Sequence, residues 1–145
     1  MGILSKTCEY AIRAVLFIAN RTQNGGRVGI KEVAIGIDSP EHFLAKILQD
    51  LGKKGIVKSV KGPNGGFYMD DATLLRPLVD VVEAIDGDRI FKGCGLGLAL
   101  CSAVKPCPLH NEFVKIRERI YKMLANTSIK DFNEDLSLGI TNLKI

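Results

Sequence analysis

The spacing of apolar residues predicts a helix at the start of the chain. They recur along one helical face at Cys8, Ile12, Val15 and Ala19. Ser5 is suited to the N-cap position, so we expect a helix from Ser5 to about Asn20. The turn residues Asn24-Gly25-Gly26 then interrupt the pattern, and a second, short helix is predicted in "IKEVAIGI".

A third helix is predicted in "DSPEHFLAKILQDLGKKGIV". Ser39 is its expected N-cap, and Pro40 suits the first helical position, where a missing N–H costs nothing. The stripe expected to face the core consists of Phe43, Leu44, Ile47, Leu48 and Leu51. Gly52 or Gly55 is expected to end the helix.

The alternating segment that follows, "IVKSVKGPNGGFYMD", predicts a β-hairpin. Its apolar and polar residues alternate up to a turn at residues 62–66, which is rich in glycine, and then resume with Phe67-Tyr68-Met69. Two helices, a capped third helix and a basic hairpin occur in the order of a winged helix-turn-helix.

The second half of the chain predicts two more helices. In "ATLLRPLVDVVEAIDG" the apolar stripe is Leu75, Leu78, Val81, Val82 and Ile85, and Gly87 is the expected stop. In "NEFVKIRERIYKMLANTS" the stripe is Phe113, Ile116, Ile120, Met123 and Leu124. Such a stripe can pack on its own domain, but two-fold pairing is common in small DNA-binding modules, so we expect a homodimer.

The predicted fold is therefore mainly α with a small β-hairpin wing. Residues 1–72 form the winged helix-turn-helix region that binds DNA. Residues 73–145 hold a linker helix, a cysteine loop (93–110), a long dimerisation helix (about 111–127) and a C-terminal tail.

The charge distribution favours a nucleic-acid partner for the first half. The net charge is +4, and all of the excess falls in residues 1–70, with five lysines between Lys46 and Lys61. A local basic stripe is typical of proteins that contact a phosphate backbone, although such a stripe is often only a solvated face. The residues predicted to contact double-stranded DNA are Ser39, His42, Lys46, Lys58, Lys61, Asn64 and Gly65.

Composition excludes several classes of protein. The chain is 46% hydrophobic and 25% charged, and no apolar run approaches the ~20 residues that cross a bilayer. We therefore expect a cytoplasmic protein with no membrane partner. "GCGLGL" lacks the spacing of a dinucleotide fingerprint, and neither a P-loop nor a nucleophile elbow is present, so we expect no enzyme.

The segment "CGLGLALCSAVKPCPLH" contains three of the four cysteines and one of the two histidines. Its candidate ligands are Cys94, Cys101, Cys107 and His110. Three thiolates and an imidazole suit an iron–sulfur cluster or a zinc ion, and the wide spacings argue mildly against zinc. Thiol redox switching and inert cysteines remain open, whereas a structural disulfide is disfavoured in a reducing compartment.

"SKTCEYAIRA" and "GIVKSVKGPNGGFYM" resemble the Rrf-two family of bacterial transcriptional regulators, and the resemblance runs from about Ile3 to about Ile129. It implies a homodimer that binds palindromic promoter DNA. It also implies that Lys61 enters a minor groove and that His42 and Lys46 face base edges. Ala45 stands where IscR-like members have an acidic residue, so their operator preference is not implied here.

The resemblance also bears on the cysteine loop. Cys94, Cys101 and Cys107 match the cysteines of cluster-binding members, and His110 matches the histidine that IscR-like proteins use for a [2Fe-2S] cluster. The histidine match favours [2Fe-2S], whereas [4Fe-4S] stays open because the first spacing has six intervening residues where IscR-like proteins have five. NsrR-like members use a carboxylate of the partner subunit, which makes Glu9 the alternative fourth ligand unless it pairs with Arg13.

The sequence thus predicts a DNA-binding repressor whose operator binding is modulated by an iron–sulfur cluster in the Cys94–His110 loop. One alternative is the same regulator without a cluster, controlled by thiol redox state or by a partner protein. Another is a zinc-stabilised interaction domain.

Overall fold

The computed structural model describes residues 2–145 and confirms a mainly helical fold with one hairpin. The α-helices are α1 (Lys6–Arg21), α2 (Ile30–Ile37), α3 (Glu41–Lys53), α4 (Asp71–Leu74), α5 (Val79–Asp86), α6 (Arg89–Lys92), α7 (His110–Ala125) and α8 (Asn133–Ser137). The strands are β1 (Lys58–Val60) and β2 (Gly66–Tyr68), and a 3-10 helix spans Lys130–Phe132. Among the described residues, no helix is long and apolar enough to cross a membrane.

Helix α1 is the centre of the core, and its predicted cap is confirmed. The Ser5 hydroxyl accepts a hydrogen bond from the Cys8 N–H at 3.0 Å, which satisfies one of the free donors of the first turn. Cys8, Val15 and Ala19 are completely buried. Because α2, α3, α5 and α8 all pack against α1, this helix joins the two halves of the chain.

The start of α3 differs from the prediction. Pro40 is the N-cap and Glu41 the first helical residue, whereas Ser39 was expected to cap. The Ser39 hydroxyl donates to the Pro40 carbonyl at 3.3 Å, and no side chain caps the first turn of α3. The turn before it contains Asp38 in a left-handed conformation (φ 54°).

Phe43 was wrongly placed on the core stripe of α3. The other four members are buried, but the side chain of Phe43 is 56% exposed. The centre of its ring lies 4.6 Å from the centre of the neighbouring His42 ring. The rotation of α3 therefore centres its buried face on Leu44, Leu48 and Leu51 and leaves Phe43 at the edge.

The predicted hairpin forms the wing, which consists of residues 58–68. Strands β1 and β2 are antiparallel, with Lys58 opposite Tyr68 and Val60 opposite Gly66. Val28 adds an isolated bridge to Phe67, so the segment after α1 anchors the wing to the helices. Gly66 (φ 146°) lies so close to the Val28 backbone that a Cβ would be 2.8 Å from the Val28 carbonyl oxygen.

The predicted linker helix is two helices, because Pro77 interrupts it. Proline has no N–H to donate and disfavours helical geometry in the residue before it. Asp70 caps α4 by accepting the Thr73 N–H at 2.9 Å. Leu75, expected on the buried stripe, is 67% exposed, whereas Val81 and Val82 of α5 are completely buried.

Helix α7 is long and amphipathic, as predicted, but the chain covers only part of its apolar stripe. Leu124 is buried, and Phe113 and Ile120 are half-buried. Ile116 is 49% exposed and Met123 60% exposed.

The C-terminal segment contains a short helix, α8, that the sequence patterns did not indicate. The Asn20 side-chain amide donates to the Ser137 hydroxyl at 3.0 Å, which fixes α8 on α1. Further along, Lys144 Nζ donates to the Ile35 carbonyl at 3.1 Å. The end of the chain therefore contacts the helix-turn-helix.

Candidate functional site

The outer face of α3 carries His42 and Lys46, which are predicted to face base edges. His42, Ala45, Lys46 and Gln49 are exposed on it, and Ser39 is half-buried in the preceding turn. An open groove separates this face from the wing, and Gln49, Lys53, Lys58 and Tyr68 are among its lining residues. The outer face of α3 and the wing thus form the two sides of one polar and basic groove.

The tip of the wing presents Lys61 and Asn64 to solvent, with Gly65 half-buried behind them. Gly65 closes the turn, because its N–H donates to the Gly62 carbonyl at 2.9 Å. Arg27 lies beside the tip: its Nη1 donates to the Asn64 carbonyl at 3.2 Å, and its guanidinium lies 5.7 Å from the centre of the Tyr68 ring. Sequence reasoning missed Arg27, since only the bridge from Val28 brings it to the wing.

Lys58 differs from the other predicted DNA contacts because its charge is paired within the chain. Lys58 Nζ lies 2.7 Å from Asp70 Oδ2, and both side chains are partly exposed. The hydrogen bond from Lys58, followed by the Thr73 N–H, lowers the pKa of Asp70 to about 2, and Asp70 in turn raises the pKa of Lys58. Lys58 therefore offers DNA a partly neutralised charge.

The four cysteines are free thiols, and three of them lie in the predicted cysteine loop. Cys8 is buried in α1, whereas Cys94, Cys101 and Cys107 are half-buried. Burial, and then the nearby Asp86, raise the pKa of Cys8 to about 12, which keeps it a neutral core residue, as expected. Cys94 and Cys101 instead line an open cleft of about 1110 Å³.

The structure brings the four candidate ligands together as two pairs. Cys101 Sγ lies 3.5 Å from His110 Nδ1 at the first residue of α7. The Leu96 and Leu98 N–H groups, and after them the neighbouring Cys107 thiol, lower the pKa of Cys94. Within residues 2–145, no three His, Cys, Asp or Glu side chains are gathered closely enough to hold one metal ion.

The donor set and its surroundings fit an iron–sulfur group. Three free thiols and an imidazole supply soft and borderline ligands, and the Arg117 guanidinium beside Cys101 offsets thiolate charge. Arg117 Nε is buried and has no acceptor among the described residues, so a sulfur of the group would supply one. To bind it, the two pairs would have to approach each other.

Glu9, the alternative fourth ligand, lies in the first turn of α1. Its carboxylate is 3.5 Å from Lys6 Nζ, so the expected pairing with Arg13 is wrong. Arg13 donates instead to the Ile37 carbonyl at 2.8 Å and lies over the Tyr10 ring. The role of Glu9 as a ligand from the partner subunit stays a prediction.

Comparison with known proteins identifies the family. The family model described as "Iron-dependent Transcriptional regulator", Rrf2, matches residues 4–135. The chain belongs to the Rrf2 family. The match confirms the resemblance found in the sequence and extends slightly past its expected end near Ile129, into α8.

Relatives of this Rrf2 chain are named as regulators. A putative HTH-type transcriptional regulator of Aquifex aeolicus is 33% identical over 132 residues, covering 89% of this chain and 90% of that protein. The HTH-type transcriptional regulator NsrR of Bacillus licheniformis is 29% identical over 135 residues, covering 91% and 94%. The structure of CymR, the global cysteine regulator of B. subtilis, gives a TM-score of 0.73 at 19% identity over 92% of this chain and 98% of that one.

These findings confirm the winged-helix fold and make the chain a transcriptional regulator of a DNA-binding family. Because Rrf2 regulators are not enzymes, the expectation of no catalytic activity is confirmed as well. The individual residues predicted for DNA and for metal stay predictions.

Replacing Asp70 by asparagine is expected to strengthen binding to duplex DNA about two- to fivefold at low salt, since Lys58 is freed. Asparagine caps a helix as well as aspartate, so α4 should persist. Because the pKa of Asp70 is about 2 when folded, below its unfolded value, the pair is complete at neutral pH and is lost only as the pH falls from about 4 towards 2. Fluorescence anisotropy with a labelled duplex measures the change.

Asp71→Asn is the matched control, because it removes the same charge one residue away, in α4. Equal gains in affinity from the two variants would show that general charge, and not release of Lys58, is responsible. The gain should also vanish at high salt, where phosphate contacts are screened.

Proposed function

We propose that the chain is a repressor that binds palindromic promoter DNA as a homodimer and whose operator affinity is modulated by an iron–sulfur cluster. Cys94, Cys101, Cys107 and His110 would hold the cluster, with [2Fe-2S] favoured, [4Fe-4S] open, and Glu9 of the partner subunit as the alternative to His110. The observation that carries the proposal is the Cys101–His110 contact at the start of α7 in an Rrf2 chain. When bound, the cluster supplies one-electron chemistry and sensitivity to oxidants.

The partly covered stripe of α7 supports the homodimer. Ile116 and Met123 are about half exposed, and Tyr121 is exposed beside them. Only the C-terminal end of the stripe, at Leu124, is buried within its own chain. A second copy of α7 would cover these side chains through one self-complementary interface.

DNA recognition would follow from α3 and the wing of each protomer. His42 and Lys46 would face base edges, and Lys61 would reach the adjacent minor groove, while Ser39, Asn64 and Gly65 would approach the backbone. For both protomers to bind one duplex, their α3 helices must enter successive major grooves, which lie about 34 Å apart.

Coupling between the loop and DNA would pass through α7. The loop continues directly into this helix, because the His110 N–H donates to the Cys107 carbonyl at 3.0 Å. A shift of the loop would therefore displace the start of α7, and this would change the distance between the wings of the two protomers. A coupling of about 1–3 kcal/mol would change operator affinity about 5- to 150-fold.

A thiol switch is the second candidate function, and the proximity of the Cys107 thiol to Cys94 favours it. In this alternative the two thiols would form a disulfide under oxidation, or a partner protein would bind the loop. A zinc-stabilised interaction domain ranks below both, because the chain belongs to a family of regulators.

Anaerobic purification tests the proposal. We expect a coloured protein that contains iron and acid-labile sulfide, and cluster-loaded and cluster-free samples should differ at least fivefold in operator affinity measured by anisotropy. Log affinity should fall linearly with log salt, as phosphate contacts require. A colourless protein that binds its operator normally after attempted reconstitution would reject the cluster and leave the thiol switch, which is then tested with peroxide.

A further inference from the structure

Arg117 holds two parts of the cysteine loop with one guanidinium group. Its Nη1 donates to the Gly93 carbonyl at 2.5 Å, and its Nη2 donates to Cys101 Sγ at 3.2 Å. Arg117 lies seven residues after His110, so both side chains project from the same face of α7, two turns apart. Cys101 is therefore held from both sides by one helix.

The packing between these two contacts is tight. A Cβ added at Gly95 would lie 2.6 Å from the Phe113 ring, so the loop backbone runs directly over α7 at this point. Because Phe113 lies between His110 and Arg117 on the helix, the loop follows the helix face from one contact to the other. The position of Cys101 thus depends on this face of α7.

The third nitrogen of the Arg117 guanidinium group has no partner within residues 2–145. Nε is buried without an acceptor among the described residues, which is unfavourable for a guanidinium group. A negatively charged sulfur drawn into the loop would accept from it. The arrangement suits a cation that stabilises negative charge on sulfur, and the rigid fork of arginine makes several such bonds at once.

We propose that Arg117 is a positioning residue that fixes Cys101 against α7 and sets the reduction potential and the stability of the bound cluster. This inference rests on the function proposed above. Reduction adds negative charge to a cluster, and hydrogen bonds and positive charge at its ligand sulfurs favour the reduced form. Arg117 thereby raises the potential and slows the loss of iron.

The test compares Arg117→Met with Arg119→Met in the full-length protein. Both variants remove one positive charge from α7, but Arg119 is exposed and lies on a different face. In reconstituted protein, Arg117→Met should lower the reduction potential and should speed the transfer of iron to a chelator about 10- to 100-fold. Arg119→Met should match the wild type in both measurements. Arg117→Lys keeps the positive charge but loses the forked guanidinium geometry, so its values should fall between those of Arg117→Met and the wild type.

A second measurement needs no cluster. In the metal-free protein, hydrogen exchange of the amides of residues 94–101 should be faster in Arg117→Met than in Arg119→Met, because the loop has lost both of its contacts to the guanidinium. If wild-type protein takes up no cluster, the proposed function fails while this arm still tests the contact. Equal exchange in the two variants, or equal potentials in reconstituted protein, would overturn the role of Arg117.

Discussion

Replacing Gly65 by alanine is expected to lower operator affinity about tenfold or more while leaving the helical core folded. A Cβ at this position would lie 2.9 Å from both the Gly62 oxygen and the Lys61 carbonyl carbon, and nearer still to the Val60 oxygen. These neighbours are backbone atoms of the same tight turn, which cannot rotate away as a side chain can. The turn must therefore open, and the wing tip moves.

The consequence for DNA follows from which residues the turn carries. Lys61 and Asn64, both predicted contacts, lie within four residues of Gly65. Losing a well-placed contact costs about 1–3 kcal/mol, which corresponds to roughly a five- to 150-fold change in affinity. Binding is measured by anisotropy with an operator duplex, and folding by circular dichroism.

Gly26→Ala is the matched control for this variant. Gly26 also lies near the wing, but the nearest heavy atom to an added Cβ is the Arg21 oxygen at 3.9 Å, so the change fits without displacement. We expect operator affinity within about twofold of the wild type, as for substitutions that disturb no contact. Wild-type affinity in Gly65→Ala would show that the wing turn does not position a DNA contact.

The first half of the fold could be predicted because its signals are local. The Ser5 cap, the stripe of α3 and the glycine-rich turn of the wing each lie within a few residues. The predictions were wrong where tertiary packing or a competing local signal determines the structure. The exposure of Phe43 depends on how α3 is rotated against α1, and Pro77 overrode an apolar period that continued through it.

The sequence predicted which residues are the candidate ligands of the site, but not how they are arranged in space. Spacing along the chain identified Cys94, Cys101, Cys107 and His110, but not that the structure would hold them as two pairs. Contacts between distant segments have no local pattern, so the pairing of Lys58 with Asp70 was missed. Arg117 had one usable signal, since its seven-residue spacing from His110 places both on one helix face.

Replacing Cys101 by serine is expected to abolish cluster binding. Cys101 is the thiol that contacts both His110 and Arg117, so it joins the loop to α7. A serine hydroxyl is nearly the same size as a thiol but does not ionise near neutral pH, and thiolate is the usual protein ligand of iron–sulfur clusters. Anaerobically purified variant should therefore lack visible absorbance, iron and sulfide, and its operator affinity should equal that of cluster-free wild type.

Cys8→Ala is the matched control, since Cys8 is completely buried and its pKa is raised to about 12. This variant should keep the cluster, at a modest cost in stability from the small cavity. Loss of the cluster in Cys8→Ala with full folding would make Cys8 a ligand, and retention of iron in Cys101→Ser would remove Cys101 from the set. If Cys101→Ser keeps a peroxide response that Cys107→Ser lacks, the Cys94–Cys107 pair is the sensor, because these two thiols are neighbours and do not need Cys101 to form a disulfide.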